Sequence, residues 1–334
     1  MNRAPAVDAV PQALVGVQAQ DMAAAELAFR ARTAGCTVQD VRAAVTGGAF
    51  VVTWTLRGTR HLHAAEDVRW LVGLLGPVFG RPGARDRQLG IAGEAGERAV
   101  AALGRALEAG PLSRDEVREV LARLPLVAPL GVDVTGQAPI HIVQRAARAG
   151  VLCILPAPGR PAAEDLYVLL DDWVPPAPAV APEAAAARLA ARFRTGYWPA
   201  TAADFRAWSG LPAALARAGW AAAGGDTGPA APAREPVPVR LAGAFDPLLL
   251  GYADRSALLA PGGAPRINAG GGMVRPVVYA DGLAVATWGW SSPKRRSIAI
   301  APFGEPPTAE ELAAEIEDVE RFLAATDPGQ RMGK

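Results

Sequence analysis

The run Phe50, Val51, Val52, Thr53, Trp54, Thr55, Leu56, Arg57, Gly58, Thr59, Arg60, His61, Leu62, His63, Ala64 decides how this chain is read. Residues 50–56 are rich in β-branched and aromatic side chains and predict a strand, Arg57 and Gly58 predict a turn, and 60–64 predict the returning strand. Two helical patterns precede it. The first covers 22–32, with Asp21 as its cap and Gly35 closing it; the second has Val38, Val41, Ala44 and Val45 on one face, Thr37 as cap, and Gly47 with Gly48 at its end. Two helices followed by a hairpin give the order of a winged helix-turn-helix, and a helix over 66–75 is expected to pack on the hairpin.

The same order recurs downstream. Residues 80–93, with Pro82, Gly83 and Gly90, read as a connector, and 94–107 as a bridging helix. Ser113 and Glu116 form a capping box into a helix over 114–124, a second helix covers 139–149, and a second hairpin joins 151–155 to 166–170 across the loop around Gly159. Pro175, Pro176, Pro178 and Pro182 make a stiff linker. Beyond it lie an Ala-rich helix over 182–194, a short helix capped from Thr201 with Trp208 in the core and Gly210 at the turn, and a helix over 212–218, a third helix-turn-helix pattern. A loop over 221–238 leads to strands at 274–279 and 283–290 around Asp281-Gly282, a strand at 297–300 and a closing helix over 308–324. The expectation is an α+β fold, predominantly helical, with three tandem winged helix-turn-helix modules at 1–80, 111–174 and 175–334, and a connector with its bridging helix at 81–110.

A chain of 334 residues, 51% hydrophobic and 20% charged, has the composition of an ordinary globular protein with two or three cores. No apolar run is long enough for a membrane span, and Arg3 and Asp8 interrupt the N-terminus where a signal peptide would be apolar, so the cytoplasm is expected. Cys36 and Cys153 are isolated and read as buried thiols. The formal charge of +1 leaves nucleic-acid binding open. Lys294 and Lys334 are the two lysines among 34 basic residues, which codon bias in a GC-rich genome accounts for. Lys294, Arg295 and Arg296 form the one tight basic cluster, read as either a solvated turn or a phosphate contact. His141, near the start of a candidate recognition helix, is open to core packing or phosphate contact.

Gln18 and Gln20 stand two apart in chain expected to be extended, so both carboxamides face one spot and can hold and orient a water molecule. Neither is a strong base, so such a pair catalyses only the departure of an already good leaving group. Two solvent-facing glutamines before a capped helix are the other reading. His61 and His63 are likewise two apart on a strand; with no third His or Cys nearby, no metal site is expected. They serve either hydrogen bonding to DNA or to the glutamine-bound water, or, for His61 with Asp67, structural support of the hairpin.

Gln18-Ala19-Gln20-Asp21, the hairpin Thr53-Trp54-Thr55-Leu56-Arg57-Gly58-Thr59 with His61, Leu62, Ala65, Glu66 and Asp67, and downstream Phe245, Asp246, Leu250, Gly251, Tyr252, Asp254 and Arg255 resemble the AlkZ-like winged-helix DNA glycosylases. The resemblance covers nearly the whole chain. It implies three winged-helix modules in a C-shaped clamp around duplex DNA, and a monofunctional glycosylase that excises N7-alkylated purines, with some members unhooking interstrand crosslinks. It places Gln18 and Gln20 at the catalytic water, and Arg57, Arg60, His61, His63, Asp67, Asp246, Tyr252, Arg255, Lys294, Arg295 and Arg296 in DNA binding or support of the lesion site. It implies a monomer with no cofactor and no obligate protein partner. The chain starts shortly before the glutamine motif, so the first module is expected to lack most of a basic N-terminal helix, and His63 stands where the family pattern has an aliphatic residue, which bears on lesion choice. A non-catalytic DNA-binding protein such as a transcription regulator is the alternative, although regulators usually dimerise on a palindrome and three modules in one chain suit a single site. A protein that sequesters a small alkylating agent is the third.

Overall fold

The computed structural model describes residues 3–124, 133, 135–157, 164–225, 238–291 and 297–324. The basic cluster Lys294, Arg295, Arg296, the loop around Gly159 and most of the 221–238 loop lie outside the described residues. Helix α1 (Ala9–Leu14) and strand β1 (Val17–Gln18) lead into α2 (Met22–Arg32), where the Asp21 carboxylate accepts from the Ala24 N–H at 3.2 Å. Thr33 ends α2 in extended backbone, so Gly35, at φ 65°, shapes the following turn and does not itself close the helix. Thr37 and Asp40 cap α3 (Val38–Thr46) reciprocally, each side chain accepting the other's backbone N–H. The decisive run then forms β2 (Phe50–Trp54) and β3 (Arg60–Ala64), antiparallel with Val52 opposite Leu62. Arg57 at φ 53° and Gly58 at φ 70° close the turn between them.

Helix α4 (Ala65–Phe79) runs beyond the expected 66–75, carrying Pro77 in its last turn, and the connector contains a short helix, α5 (Ala84–Gln88). Next come α6 (Glu94–Leu107), α7 (Arg114–Ala122) with its Ser113–Glu116 capping box, α8 (Ala138–Arg148), β4 (Leu152–Leu155), β5 (Leu166–Leu169) and α9 (Leu170–Trp173). The chain continues through α10 (Pro182–Gly196), α11 (Ala202–Ser209), α12 (Ala213–Ala222), β6 (Arg240–Ala242), α13 (Pro247–Leu250) and α14 (Gly263–Ile267). It ends with β7 (Asn268–Gly270), β8 (Met273–Val274), β9 (Val277–Ala280), β10 (Leu283–Trp290), β11 (Ile298–Pro302) and α15 (Ala309–Ala324). The single strand expected at 274–279 is broken in two, because Pro276 has no N–H for a ladder and Arg275 donates its own to the Ile267 carbonyl at 3.0 Å. Asp281 and Gly282, at φ 46° and 83°, form the tight turn that their sequence predicts between β9 and β10.

The contacts divide the chain into two compact units. One comprises 1–44, 192–208 and 225–334; the other comprises 45–191 and 209–224. In the second unit the two hairpins share one sheet, in the order β3-β2-β4-β5, joined where Val52 pairs with Ile154. Leu112 adds a bridge to Tyr167 at the outer edge. Val51, Val68, Val72, Cys153, Val168 and Leu170 form the core under this sheet, and burial pushes the Cys153 thiol up to about 12, so it is a packing residue. Helix α8 packs on α4, α6, α7, β2 and β4.

In the first unit the sheet order is β11-β10-β9-β6, with α2 and α15 against β6 and a core that includes Ala242, Leu249, Val277, Tyr279 and Ala284. Phe193, Tyr197 and Trp208 stack beside it, with ring centroids 4.7–5.5 Å apart. The Arg30 side chain is fully buried: its guanidinium meets Glu315 at 2.9 Å, Asp318 at 2.8 Å and the Leu241 carbonyl at 2.5 Å. Arg3 and Arg240 share Glu315 with it. No described helix is long and apolar enough to cross a membrane. Arg30→Ala strands two carboxylates without their buried partner, and the expected loss is about 3–5 kcal/mol, read as a lowered midpoint in urea unfolding.

Candidate active site

The two glutamines meet. Gln18 ends β1 and is buried, Gln20 precedes the Asp21 cap and is exposed, and the Gln18 Nε2 donates to the Gln20 Oε1 at 3.1 Å. The Gln18 Oε1 is left buried without a hydrogen-bond partner among the described residues. A buried acceptor in that state costs about 1–3 kcal/mol unless water or substrate reaches it. The side chain therefore stands ready to accept from a donor that the protein does not itself supply.

His61 and His63 lie on β3 with their rings stacked, centroids 5.8 Å apart. Both are buried. The His61 Nδ1 donates to the Thr59 carbonyl at 3.1 Å, and the His63 Nε2 lies 2.7 Å from the Thr55 Oγ1. Burial, then the Arg57 charge, then His63 push the His61 pKa well below its ordinary value, so the ring is neutral with its second nitrogen unprotonated. Arg57 itself is half-buried in the hairpin turn. Arg60 pairs with Asp165 at 2.8 Å and lies over Trp54, which fixes the hairpin. Asp67 is buried in the first turn of α4, accepts from the Trp70 Nε1 at 2.9 Å and pairs at 3.3 Å with Arg188, whose guanidinium lies over that indole. Among the described residues no group of three or more His, Cys, Asp or Glu is placed to hold a metal ion.

Asp246 is fully buried and accepts both guanidinium nitrogens of Arg32, at 2.8 and 2.9 Å. It also accepts from the Leu248 N–H, capping α13, and from the Tyr279 hydroxyl at 3.3 Å. Burial alone would lower the pKa of Arg32; the charge and hydrogen bonds of Asp246, with Tyr279 and Tyr197, together outweigh it and raise the value, while burial and then Asp246 drive Tyr279 well above its usual range. The Tyr252 hydroxyl donates to the Tyr197 carbonyl at 2.8 Å and is pushed up to about 12 by burial and Asp204. Arg255 is half-buried, reaches the Asn268 Oδ1 at 3.3 Å, and burial holds its pKa below the ordinary value. Sequence reading missed Arg32 and Tyr279; nothing local marks them, because their partner is 214 residues from Arg32 and 33 from Tyr279. His141, left open by the sequence, bonds to Asp86 at 3.1 Å.

The sequence model of the AlkZ-like DNA glycosylases matches residues 12–322; the chain belongs to that family and is a DNA glycosylase. Among solved structures it is similar to the Streptomyces sahachiroi DNA glycosylase AlkZ, with a TM-score of 0.81 at 23% identity, covering 96% of this chain and 91% of that one, which establishes a shared fold. No curated protein matches the sequence significantly.

The neutral His61 links to stability. Its folded pKa lies below the unfolded value of about 6.5, so unfolding takes up a proton as pH falls through that value, and stability is lost on acidification by up to about 1.4 kcal/mol per pH unit. Urea titrations at pH 7 and pH 5 should show that loss shrink in His61→Asn.

Proposed function

We propose that this glycosylase hydrolyses the N-glycosidic bond of N7-alkylated purines in duplex DNA with a water molecule held by Gln18 and Gln20. The observation that carries the reading is the bonded glutamine pair with the Gln18 Oε1 left open. That oxygen accepts one water proton and the Gln20 amide donates from beside it, so a lone pair of the water is turned towards C1′. Alkylation at N7 makes the purine cationic. The C1′–N9 bond therefore breaks with its electron pair going to the base, the water oxygen bonds C1′, and its proton passes to bulk solvent. Carboxamide dipoles stabilise the oxocarbenium-like sugar without needing to change charge.

The three winged-helix modules, 1–80, 111–174 and 175–334, form in this reading a C-shaped clamp on the duplex, and the enzyme acts as a monomer. An open channel of that kind also admits bulky adducts and crosslinks, which a snug pocket for a flipped base excludes. In the regulator reading α8 would enter a major groove, yet it is packed on α4, α6, β2 and β4.

Single-turnover release of N7-methylguanine from a defined duplex tests the proposal. Gln18→Ala and Gln20→Ala should each slow release by about 100-fold or more at unchanged melting temperature. Release by either variant at the wild-type rate would remove the glutamines from the chemistry. The wild-type rate should also be flat between roughly pH 6.5 and 8, since carboxamides do not titrate and burial keeps His61 neutral there.

A further inference from the structure

Helices α4, α6 and α8 of the second unit border a cleft of about 670 Å³, lined by none of the residues assigned to the site. Arg81, Arg145 and Arg148 line it, with Glu97 as its single carboxylate. Among the described residues none of the three arginines forms an ion pair. The Arg145 Nη1 donates to the Ile91 carbonyl, and the Arg148 Nη1 and Nη2 donate to the Phe79 and Gly58 carbonyls at 3.1 and 2.9 Å. Backbone carbonyls orient a guanidinium but do not neutralise it. Burial of Arg148 outweighs the distant charge of Asp86, which marks a cation lacking a full counter-charge. Arg81 is exposed at the mouth. The wall supplied by α4 is bare: a Cβ on Gly73 would meet nothing within 4 Å, while one on Gly76 would strike the Arg148 carbonyl at 2.1 Å, so α8 seats against glycine.

We propose that this cleft seats a phosphate of the DNA backbone, gripped by Arg81, Arg145 and Arg148. Guanidinium forks match phosphate oxygens, and two of these three are already held in position, so little side-chain freedom is lost on binding. Such a contact fixes register on the duplex without reading sequence, as a lesion-directed enzyme requires. The proposal rests on DNA being the substrate and is independent of the glutamine mechanism.

Binding to an unmodified duplex, measured against sodium chloride concentration, provides the test. Arg81→Gln should reduce the slope of log K on log salt by about one. Gly73→Glu places a negative charge in the cleft without a clash and should weaken binding about tenfold, whereas the neutral Gly73→Gln should bind close to wild type. Circular dichroism and melting temperature establish that each variant is folded. An unchanged slope in Arg81→Gln, or equal binding by the two Gly73 variants, overturns the proposal. So does inorganic phosphate that raises the melting temperature through Arg81 while DNA binding stays unaltered, which would make the cleft a site for free phosphate.

Discussion

Arg30 and Arg32, two residues apart at the end of α2, are both buried, and the placement of that helix, which follows directly on the glutamine pair, depends on what neutralises them. Arg30 needs Glu315 and Asp318 on α15; Arg32 needs Asp246 before α13. A buried ion pair is weak evidence of net stability, because desolvation offsets much of the attraction, but losing one partner is costly. The consequence is positional. A helix whose last turn is held by three carboxylates cannot rotate or slide, and Asp21 at its other end follows directly on Gln20. The C-terminal part of the chain thereby fixes where the N-terminal motif sits within the first unit.

Charge also unites the chemistry with its surroundings. The proposed reaction removes a group that is already cationic, and the two side chains proposed for it, Gln18 and Gln20, are neutral carboxamides. Of the ionised groups named with them, Arg60 is paired with Asp165, Asp67 with Arg188 and Asp246 with Arg32. They act as props. A carboxylate left free beside a cationic purine would stabilise the ground state as well as the transition state, which gains nothing in rate.

Local signals carried most of the secondary structure. Asp21, Thr37 and the Ser113–Glu116 box mark helix starts because a short polar side chain satisfies N–H groups within three residues, and Asp281-Gly282 marks a hairpin because both adopt positive φ. The short helices α1, α5, α13 and α14 escaped, since four to six residues hold too little periodicity. The pairing of β2 with β4 escaped for another reason: hydrophobic alternation says which face of a strand is buried, not which strand lies beside it. At the site, the spacing of Gln18 and Gln20 turned both side chains to one spot, where they meet, but the spacing of His61 and His63 could not choose between hydrogen bonding to DNA or a bound water and support of the hairpin. The buried partners of Asp246 are separated from it along the chain and had no signature.

The shared sheet sets an order of events during synthesis. Strand β2 is buried along its whole length, flanked by β3 and by β4, and β4 leaves the ribosome only after α4, α6, α7 and α8. At bacterial or eukaryotic elongation rates this leaves one edge of Phe50, Val51 and Val52 open for roughly 5–20 s. That edge is a row of unpaired amides on an apolar strand, the template that a neighbouring nascent chain on the same message would extend. Until β4 arrives, the exposed edge of β2 is the part of the second unit most open to wrong pairing.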